Sequence, residues 1–211
     1  MKYSNDTSNF INITDIIPEV ILEMRYFTTY NFIGNRINGY EEPIALLTKE
    51  AAASLKKVSD ELLSKGYRLR IYDTYRPTRA VDHFLEWAKD LNDTRMKEYF
   101  YPNIDKKIII EEGFIARQSA HSRGSTIDLT LFDMKTGKNL DMGGTFDFFG
   151  DISYPTYTNL TEEQINNRLL LKNTMLKYGF KQSTKEWWHF VLIDEPFKDT
   201  YFNFPIKSLK N

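Results

Sequence analysis

Two residues of metal-binding type, His121 and Asp128, lie seven positions apart in the chain. His121 belongs to the small polar segment Ser-Ala-His-Ser-Arg-Gly, and Asp128 lies on the polar face of a predicted strand. Because an unpaired buried carboxylate is costly, Asp128 needs a partner. A metal ion would satisfy it, and so would Arg123 or a nearby backbone amide, so these two residues alone leave the choice open.

A second pair, Glu186 and His189, occurs in the sequence Glu-Trp-Trp-His. A regular strand would place residues three apart on opposite faces, so we expect a bend or a strand end at this motif. Core packing is the simpler role for Trp187 and Trp188, and we assign it to at least one of them. Glu186 could instead be an ordinary surface residue, although its aromatic neighbours in the sequence make a surface position less favourable.

Together these residues predict a zinc site with hydrolytic chemistry. Catalytic zinc commonly has three protein ligands and a further position for water, and His121, Asp128 and His189 form such a set. Zinc would lower the pKa of water toward neutrality, and Glu186 could take the proton as hydroxide attacks a carbonyl. The same carboxylate could then pass the proton to the departing amine.

Arg76 is a candidate for stabilising the oxyanion formed in such a reaction. It lies in Tyr-Asp-Thr-Tyr-Arg-Pro, where Pro77 prevents a strand from continuing. The alternative is a surface arginine paired with Asp73, and the local sequence by itself favours that alternative. His83 is interpreted as structural or partly exposed, since the metal set is complete without it.

The helices and strands that must position these residues can be predicted from hydrophobic periodicity and from helix-capping signals. Residues 16–44 are predicted to form loops and short strands. Thr48 is a predicted N-cap, Thr78 can cap a second helix, and Thr161 with Gln164 has capping-box spacing. Helices are predicted over residues 48–65, 78–91 and 161–178, and strands over 67–75, 125–133 and, as the last strand, 185–193. This irregular alternation favours an α+β fold with a mainly antiparallel sheet.

Composition excludes several classes of protein. The chain has 211 residues, a formal net charge of −1 and no cysteine. Nucleic-acid and membrane-surface binding lose support because no basic excess is present. Without thiolates, any zinc must be held by nitrogen and oxygen ligands. We expect one domain over residues 1–211 and, from the polar N-terminal segment, a cytoplasmic location.

The motifs resemble those of a known family. Ser-Ala-His-Ser-Arg-Gly-Ser-Thr-Ile-Asp-Leu-Thr-Leu, followed by Glu-Trp-Trp-His, is similar to the D-alanyl-D-alanine dipeptidases of the vancomycin-resistance type. These belong to the zinc DD-peptidases that share a fold with the hedgehog signalling domain. The resemblance covers most of the chain through Gly39-Tyr40-Glu41, Tyr-Arg-Pro, Tyr101-Pro102-Asn103-Ile104, Phe146-Asp147-Phe148 and Asp194-Glu195-Pro196.

The resemblance implies one zinc ion on His121, Asp128 and His189, with Glu186 as general base and Arg76 stabilising the transition state. It further implies that the free amine of the dipeptide D-Ala-D-Ala is held by Asp147, Tyr26 and Ser119. This chain departs from the pattern at Ala120, where a second serine is expected. If that hydroxyl contacts substrate, affinity or selectivity would differ while the metal site survives.

Two alternatives stay open at this stage. One is a carboxypeptidase or endopeptidase acting on cell-wall peptides, against which the amine-binding candidate Asp147 weighs. The other is a zinc-containing binding module without catalysis, which would need neither Glu186 nor Arg76. The native metal, the oligomeric state and the choice between antibiotic resistance and nutritional recycling are not fixed by the sequence.

Overall fold

A mainly antiparallel sheet with helices against it forms the framework, as the sequence predicts for the α+β class. The computed structural model describes residues 2–111, 115 and 118–209. The strands are Lys2–Ser4 (β1), Phe10–Asn12 (β2), Ile21–Leu22 (β3), Leu46–Thr48 (β4), Tyr67–Asp73 (β5), Thr126–Asp133 (β6), Lys138–Asn139 (β7), Phe180–Gln182 (β8), His189–Leu192 (β9) and Thr200–Phe202 (β10). The α-helices are Lys49–Ser64 (α1), Thr78–Lys89 (α2), Lys97–Phe100 (α3) and Glu162–Lys177 (α4).

The largest sheet has the strand order β3-β5-β6-β9-β8, with β7 also paired to β6. Only the β3–β5 pairing among these is parallel, within the residues that the structure describes. Two smaller sheets join β1 to β10 in parallel and β2 to β4 in antiparallel orientation. The central strand β6 is therefore flanked on both sides, and both of its faces are buried over most of its length.

The helices bury the stripes that their periodicity predicts. In α1 the side chains of Ala51, Leu55, Val58 and Leu62 are fully buried. Thr48 caps this helix, because its hydroxyl accepts a hydrogen bond from the backbone amide of Ala51. The predicted capping box of α4 is likewise present, with Thr161 and Gln164 each accepting from the backbone amide of the other.

Three sequence predictions about these elements are wrong in detail. Thr78 does not cap α2, since Pro77 holds the N-cap position and Thr78 is the first helical residue. The strand predicted to reach residue 75 ends at Asp73, where the backbone leaves the ladder and the amide of Tyr75 bonds to Leu46. Helix α2 ends at Lys89, two residues before the predicted end.

The predicted last strand is also shorter than expected. Residues 186–188 form a turn and β9 begins at His189, which confirms the strand end expected at Glu-Trp-Trp-His. It is not the last strand, because β10 follows it and pairs with β1. No helix among the described residues is both long enough and apolar enough to cross a membrane.

Candidate active site

Three polar residues form one row across the middle of the largest sheet. Asp128 on β6 is paired in register with Asp73 on β5 and with His189 on β9. Residues opposite each other in a ladder project from the same face, so the three side chains share one side of the sheet. The strand register therefore brings together residues that lie far apart in the chain.

His121 approaches this row from a short 3-10 helix, Ala120–Arg123. The hydroxyl of Ser119 caps that helix by accepting a hydrogen bond from the amide of His121, 3.2 Å away. Gly124 ends it with a φ of 84°, a left-handed conformation that glycine adopts without a steric penalty. The ring Nδ1 of His121 lies 2.6 Å from the carbonyl oxygen of Thr74. An Nδ1–H that donates to this oxygen leaves Nε2 as the free lone pair.

The donor atoms of His121, Asp128 and His189 converge in a manner that suits one metal ion. Nε2 of His121 is 3.2 Å from Nδ1 of His189 and 3.2 Å from Oδ2 of Asp128. Nδ1 of His189 is 3.0 Å from Oδ1 of Asp128. Two donors on a tetrahedral zinc ion, each at roughly 2.0–2.1 Å, lie about 3.3 Å apart. The nitrogen and oxygen donors present thus fit zinc in type, number and separation.

The charges of the donor set stabilise one another. Burial alone would raise the pKa of Asp128, but the adjacent imidazoles of His121 and His189 hold it below its usual range. Burial alone would lower the pKa of His189, whereas its contact with Asp128 raises it. A carboxylate kept ionised between two imidazoles is an arrangement that could hold a metal cation.

Glu186 lies beside the donor set at the turn before β9. Its Oε2 is 3.6 Å from Nδ1 of His189, and its side chain is 35% exposed to the cavity. Withdrawal from bulk water raises the pKa of the Glu186 carboxyl, and the nearby carboxylate of Asp128 raises it further. A carboxyl with a raised pKa next to a metal position is well suited to accept and release a proton.

Arg76 is held in one orientation on the other side of the donor set. Its Nε donates to Oδ2 of the buried Asp73 at 2.9 Å, and its Nη2 is 3.6 Å from Oδ2 of Asp128. The guanidinium also lies over the rings of Tyr26 and Phe84, at 4.9 and 5.1 Å from their centroids. The alternative pairing with Asp73 is therefore present, but the side chain is only 12% exposed and is not at the surface.

Asp147 supplies a further buried carboxylate to the same site. The hydroxyl of Tyr26 donates to Oδ2 of Asp147 at 2.7 Å. Burial raises the pKa of Asp147 well above its usual range. Its φ of 60° is the one positive value at a non-glycine residue in the described part of the chain. Left-handed backbone at such a residue is strained and is frequently found at functional sites.

All the predicted site residues border one cavity of about 300 Å³. They are Tyr26, Arg76, Ser119, His121, Asp128, Asp147, Glu186 and His189, with Ala120 beside them. His83 lies outside this cavity, is partly exposed, and its Nδ1 accepts from the amide of Asn38. Arg123 does not pair with Asp128, because its Nε donates to Glu195 at 2.8 Å instead.

Several cavity residues were not predicted from the sequence. Aromatic side chains make most of the apolar wall, namely Phe32, Phe84, Phe148, Phe149 and Tyr154. The structural role of Tyr40 was not predicted either. Its hydroxyl donates to Asp73 at 2.7 Å, and Asp73 in turn accepts a hydrogen bond from Arg76. Only the high aromatic content of the chain, 15%, hinted at such a lining.

The chemistry of this site belongs to the metallohydrolase class. Catalytic zinc keeps three protein ligands and an open position, and here three donors face a cavity that is also lined by the carboxylate of Glu186. The sheet places Asp128 and His189, and a 3-10 helix places His121. Asp147 lies in a loop, and Glu186 lies at the turn before β9.

Comparisons with known proteins identify the family. Residues 6–207 match the model of peptidase family M15, described as D-ala-D-ala dipeptidase. A D-alanyl-D-alanine dipeptidase of Enterococcus faecalis is 41% identical over 199 residues, covering 94% of this chain and 98% of the relative. The dipeptidase of Enterococcus faecium is 40% identical, with 94% and 98% covered, and that of Streptomyces coelicolor is 36% identical, with 95% and 99% covered. The chain belongs to the D-Ala-D-Ala dipeptidase family.

Proposed function

We propose that the protein hydrolyses the dipeptide D-Ala-D-Ala to two molecules of D-alanine, with one zinc ion held by His121, Asp128 and His189. The observation that carries the proposal is the convergence of these three donors within 4.8 Å, at a cavity that also contains Asp147 and Glu186. The names of the relatives specify the same dipeptide. A cavity of about 300 Å³ suits a small substrate.

The residues of this chain have separate tasks in the proposed reaction. When bound, zinc supplies a Lewis acid that makes water nucleophilic near neutral pH. Glu186 takes the proton of the attacking water and passes it to the amine that departs as the peptide bond breaks. Arg76 faces the oxygen on which negative charge develops and stabilises it. Asp73 and Tyr40 support Arg76 and do not contact the substrate.

Recognition of the free amine is assigned to Asp147, with Tyr26 and Ser119 beside it. A buried carboxyl whose pKa is raised by burial gains most from a positive partner, and a substrate ammonium is such a partner. The Tyr26 hydroxyl fixes one carboxylate oxygen and leaves the other for the ligand. Loss of that ammonium by N-acetylation would leave Asp147 without a cationic partner, so an acetylated substrate should bind poorly.

The deciding experiment measures D-alanine release by zinc-loaded protein from D-Ala-D-Ala, L-Ala-L-Ala and N-acetyl-D-Ala-D-Ala. We expect D-Ala-D-Ala to be by far the best substrate of the three. Glu186→Gln should lower kcat by roughly 10²–10⁴-fold with zinc still bound, because a positioned proton acceptor contributes about that much. Glu86→Gln is the matched control, since Glu86 forms only an exposed ion pair with Lys89.

Other outcomes point to the two alternatives. Cleavage of the acetylated peptide would replace the dipeptidase with a cell-wall carboxypeptidase. No cleavage by zinc-loaded protein would favour a binding module. A cytoplasmic location and a single catalytic domain over residues 1–211 are parts of the same proposal. They are tested by fractionation of producing cells and by whether unfolding of the full chain occurs in one transition.

A further inference from the structure

Arg168 on helix α4 is a buried arginine that bonds to backbone instead of to a carboxylate. Its Nε donates to the carbonyl oxygen of Met142 at 2.7 Å. Its Nη1 and Nη2 donate to the carbonyl oxygens of Tyr154 and Ile152, at 3.1 and 2.7 Å. The residue is 7% exposed, so these bonds are made away from water, where unmade bonds would be costly.

The three carbonyls flank the amine-binding candidate Asp147. Met142 precedes Asp147 by five residues, and Ile152 and Tyr154 follow it. We name residues 142–154 the Asp147 loop. One guanidinium therefore joins the two ends of this loop, and Asp147 lies near its middle with a strained φ of 60°. Strained backbone persists only where surrounding contacts hold it, and the closed loop base supplies such contacts.

The same cluster reaches the segment that carries Glu186. The Cζ of Arg168 lies 5.7 Å from the centre of the Trp187 ring. The amide of Trp187, the next residue after Glu186, donates to the carbonyl of Ser153 in the Asp147 loop at 2.9 Å. Arg168 thus contacts both the segment that carries the candidate base Glu186 and the loop that carries the candidate amine receptor Asp147.

A lysine could not reproduce this arrangement. The planar guanidinium directs three N–H groups at once to carbonyls on two chain segments, whereas an ammonium is a compact point charge. Burial lowers the pKa of Arg168 to about 10, so the group is still a cation near neutral pH. The loop base has a second attachment to α4, because Asn167 donates to the carbonyl of Asp141 at 2.8 Å. An Arg168 variant should therefore still fold.

We propose that Arg168 is a positioning residue that closes the base of the Asp147 loop and thereby sets the preference for substrates with a free amino terminus. This inference rests on the proposed function, specifically on Asp147 as the amine receptor. Arg168 itself does not contact the substrate in this scheme. Its effect on the reaction passes entirely through the position of Asp147 and, to a lesser extent, of the Glu186 turn.

The test is Arg168→Lys in the zinc-loaded full chain. We expect the KM for D-Ala-D-Ala to rise roughly tenfold with kcat changed by less than about threefold, since a displaced amine receptor weakens binding of the ground state and the transition state alike. The preference for D-Ala-D-Ala over N-acetyl-D-Ala-D-Ala should fall roughly tenfold. Arg79→Lys is the matched control, because Arg79 also donates to a backbone carbonyl, that of Asn203, outside the cavity.

Amide hydrogen exchange gives a readout that does not depend on activity. Residues of the Asp147 loop should exchange faster in Arg168→Lys than in the unmodified protein and in Arg79→Lys. Unchanged exchange, or an unchanged KM and amine preference, would overturn the inference. An equal effect of Arg79→Lys on KM would reduce Arg168 to a general stabilising residue.

Failure of this inference is distinguishable from failure of the proposed function. Asp147→Asn should abolish the preference for a free amine if Asp147 is the receptor. If Asp147→Asn keeps that preference, or the unmodified protein releases no D-alanine, the proposed function fails. If Asp147→Asn loses the preference while Arg168→Lys keeps it, only the positioning role fails.

Discussion

Asp128 and His189 face each other directly across strands β6 and β9, with Oδ1 of the aspartate 3.0 Å from Nδ1 of the imidazole. The antiparallel ladder fixes the backbone positions of both residues through hydrogen bonds, so neither residue is carried by a loop. His121 completes the set from a capped 3-10 helix. Two of the three candidate ligands are thus placed by adjacent strands of the largest sheet.

The first prediction concerns the metal. His189→Ala should weaken zinc binding by more than about 100-fold, because loss of even an outer partner of a ligand costs about 10–100-fold. The β6–β9 pairing uses backbone groups and should survive, which circular dichroism would check. Competition with a chromophoric chelator measures the affinity. His83→Ala is the control, since His83 lies outside the cavity. Zinc binding that is not weakened in His189→Ala would show that His189 is not a zinc ligand.

A second prediction concerns Arg76. Arg76→Lys should lower kcat by about 10²–10³-fold, the range for loss of one oxyanion-stabilising donor, with a smaller change in KM. A lysine cannot keep the bond to Asp73 and also face the donor set. Steady-state kinetics on D-Ala-D-Ala measures the effect.

Arg70→Lys is the matched control for this change. Arg70 also combines a 2.9 Å ion pair, with Glu23, and a ring contact, with Phe132 at 5.2 Å. It lies away from the cavity and should leave kcat unaltered. A kcat for Arg76→Lys within about threefold of the unmodified enzyme would contradict the oxyanion role.

Much of the candidate site can be predicted from the sequence, because two of its candidate ligands, Asp128 and His189, lie on regular strands. The alternation of residues 125–133 places Asp128 on a strand, and the three-residue spacing of Glu186 and His189 indicates the turn before β9. The alternation did not reveal that both faces of β6 are buried, since that depends on what packs above and below the sheet.

The remaining features come from contacts between distant segments. The carbonyl of Thr74 orients His121, and a backbone acceptor has no signature in residue type. The register that aligns Asp73, Asp128 and His189 is set by the assembled sheet. The unusual φ of Asp147 occurs in a loop whose two ends are joined by Arg168 of α4, and no local pattern near residue 147 encodes that contact.

A third prediction tests the turn that follows His121. Gly124→Ala should lower the free energy of unfolding by about 2–5 kcal/mol, from the left-handed conformation and from overpacking. A Cβ at this position would overlap the ring of the buried Phe10, and φ is 84°. Urea denaturation measures the loss. Gly137→Ala is the control, because φ is 70° there but no atom lies within 4 Å of the added Cβ, so only about 1–2 kcal/mol should be lost.

The last prediction concerns pH and the packing of α1 against α4. The carboxylate of Glu61 accepts hydrogen bonds from Lys177, Lys65 and Tyr178, which lower its pKa from 4.5 to about 2. A carboxyl with a depressed pKa in the folded state stabilises the protein above its unfolded pKa and loses this effect as the pH falls through the folded value. Glu61→Gln should therefore lower the urea midpoint at pH 7, and the difference from the unmodified protein should shrink below about pH 4.5 and vanish near pH 2.

Glu86→Gln, which alters an ion pair exposed at both ends, should leave the midpoint unchanged at every pH. A Glu61→Gln deficit that stays constant down to pH 2 would mean that packing of the side chain, and not its charge, links the two helices.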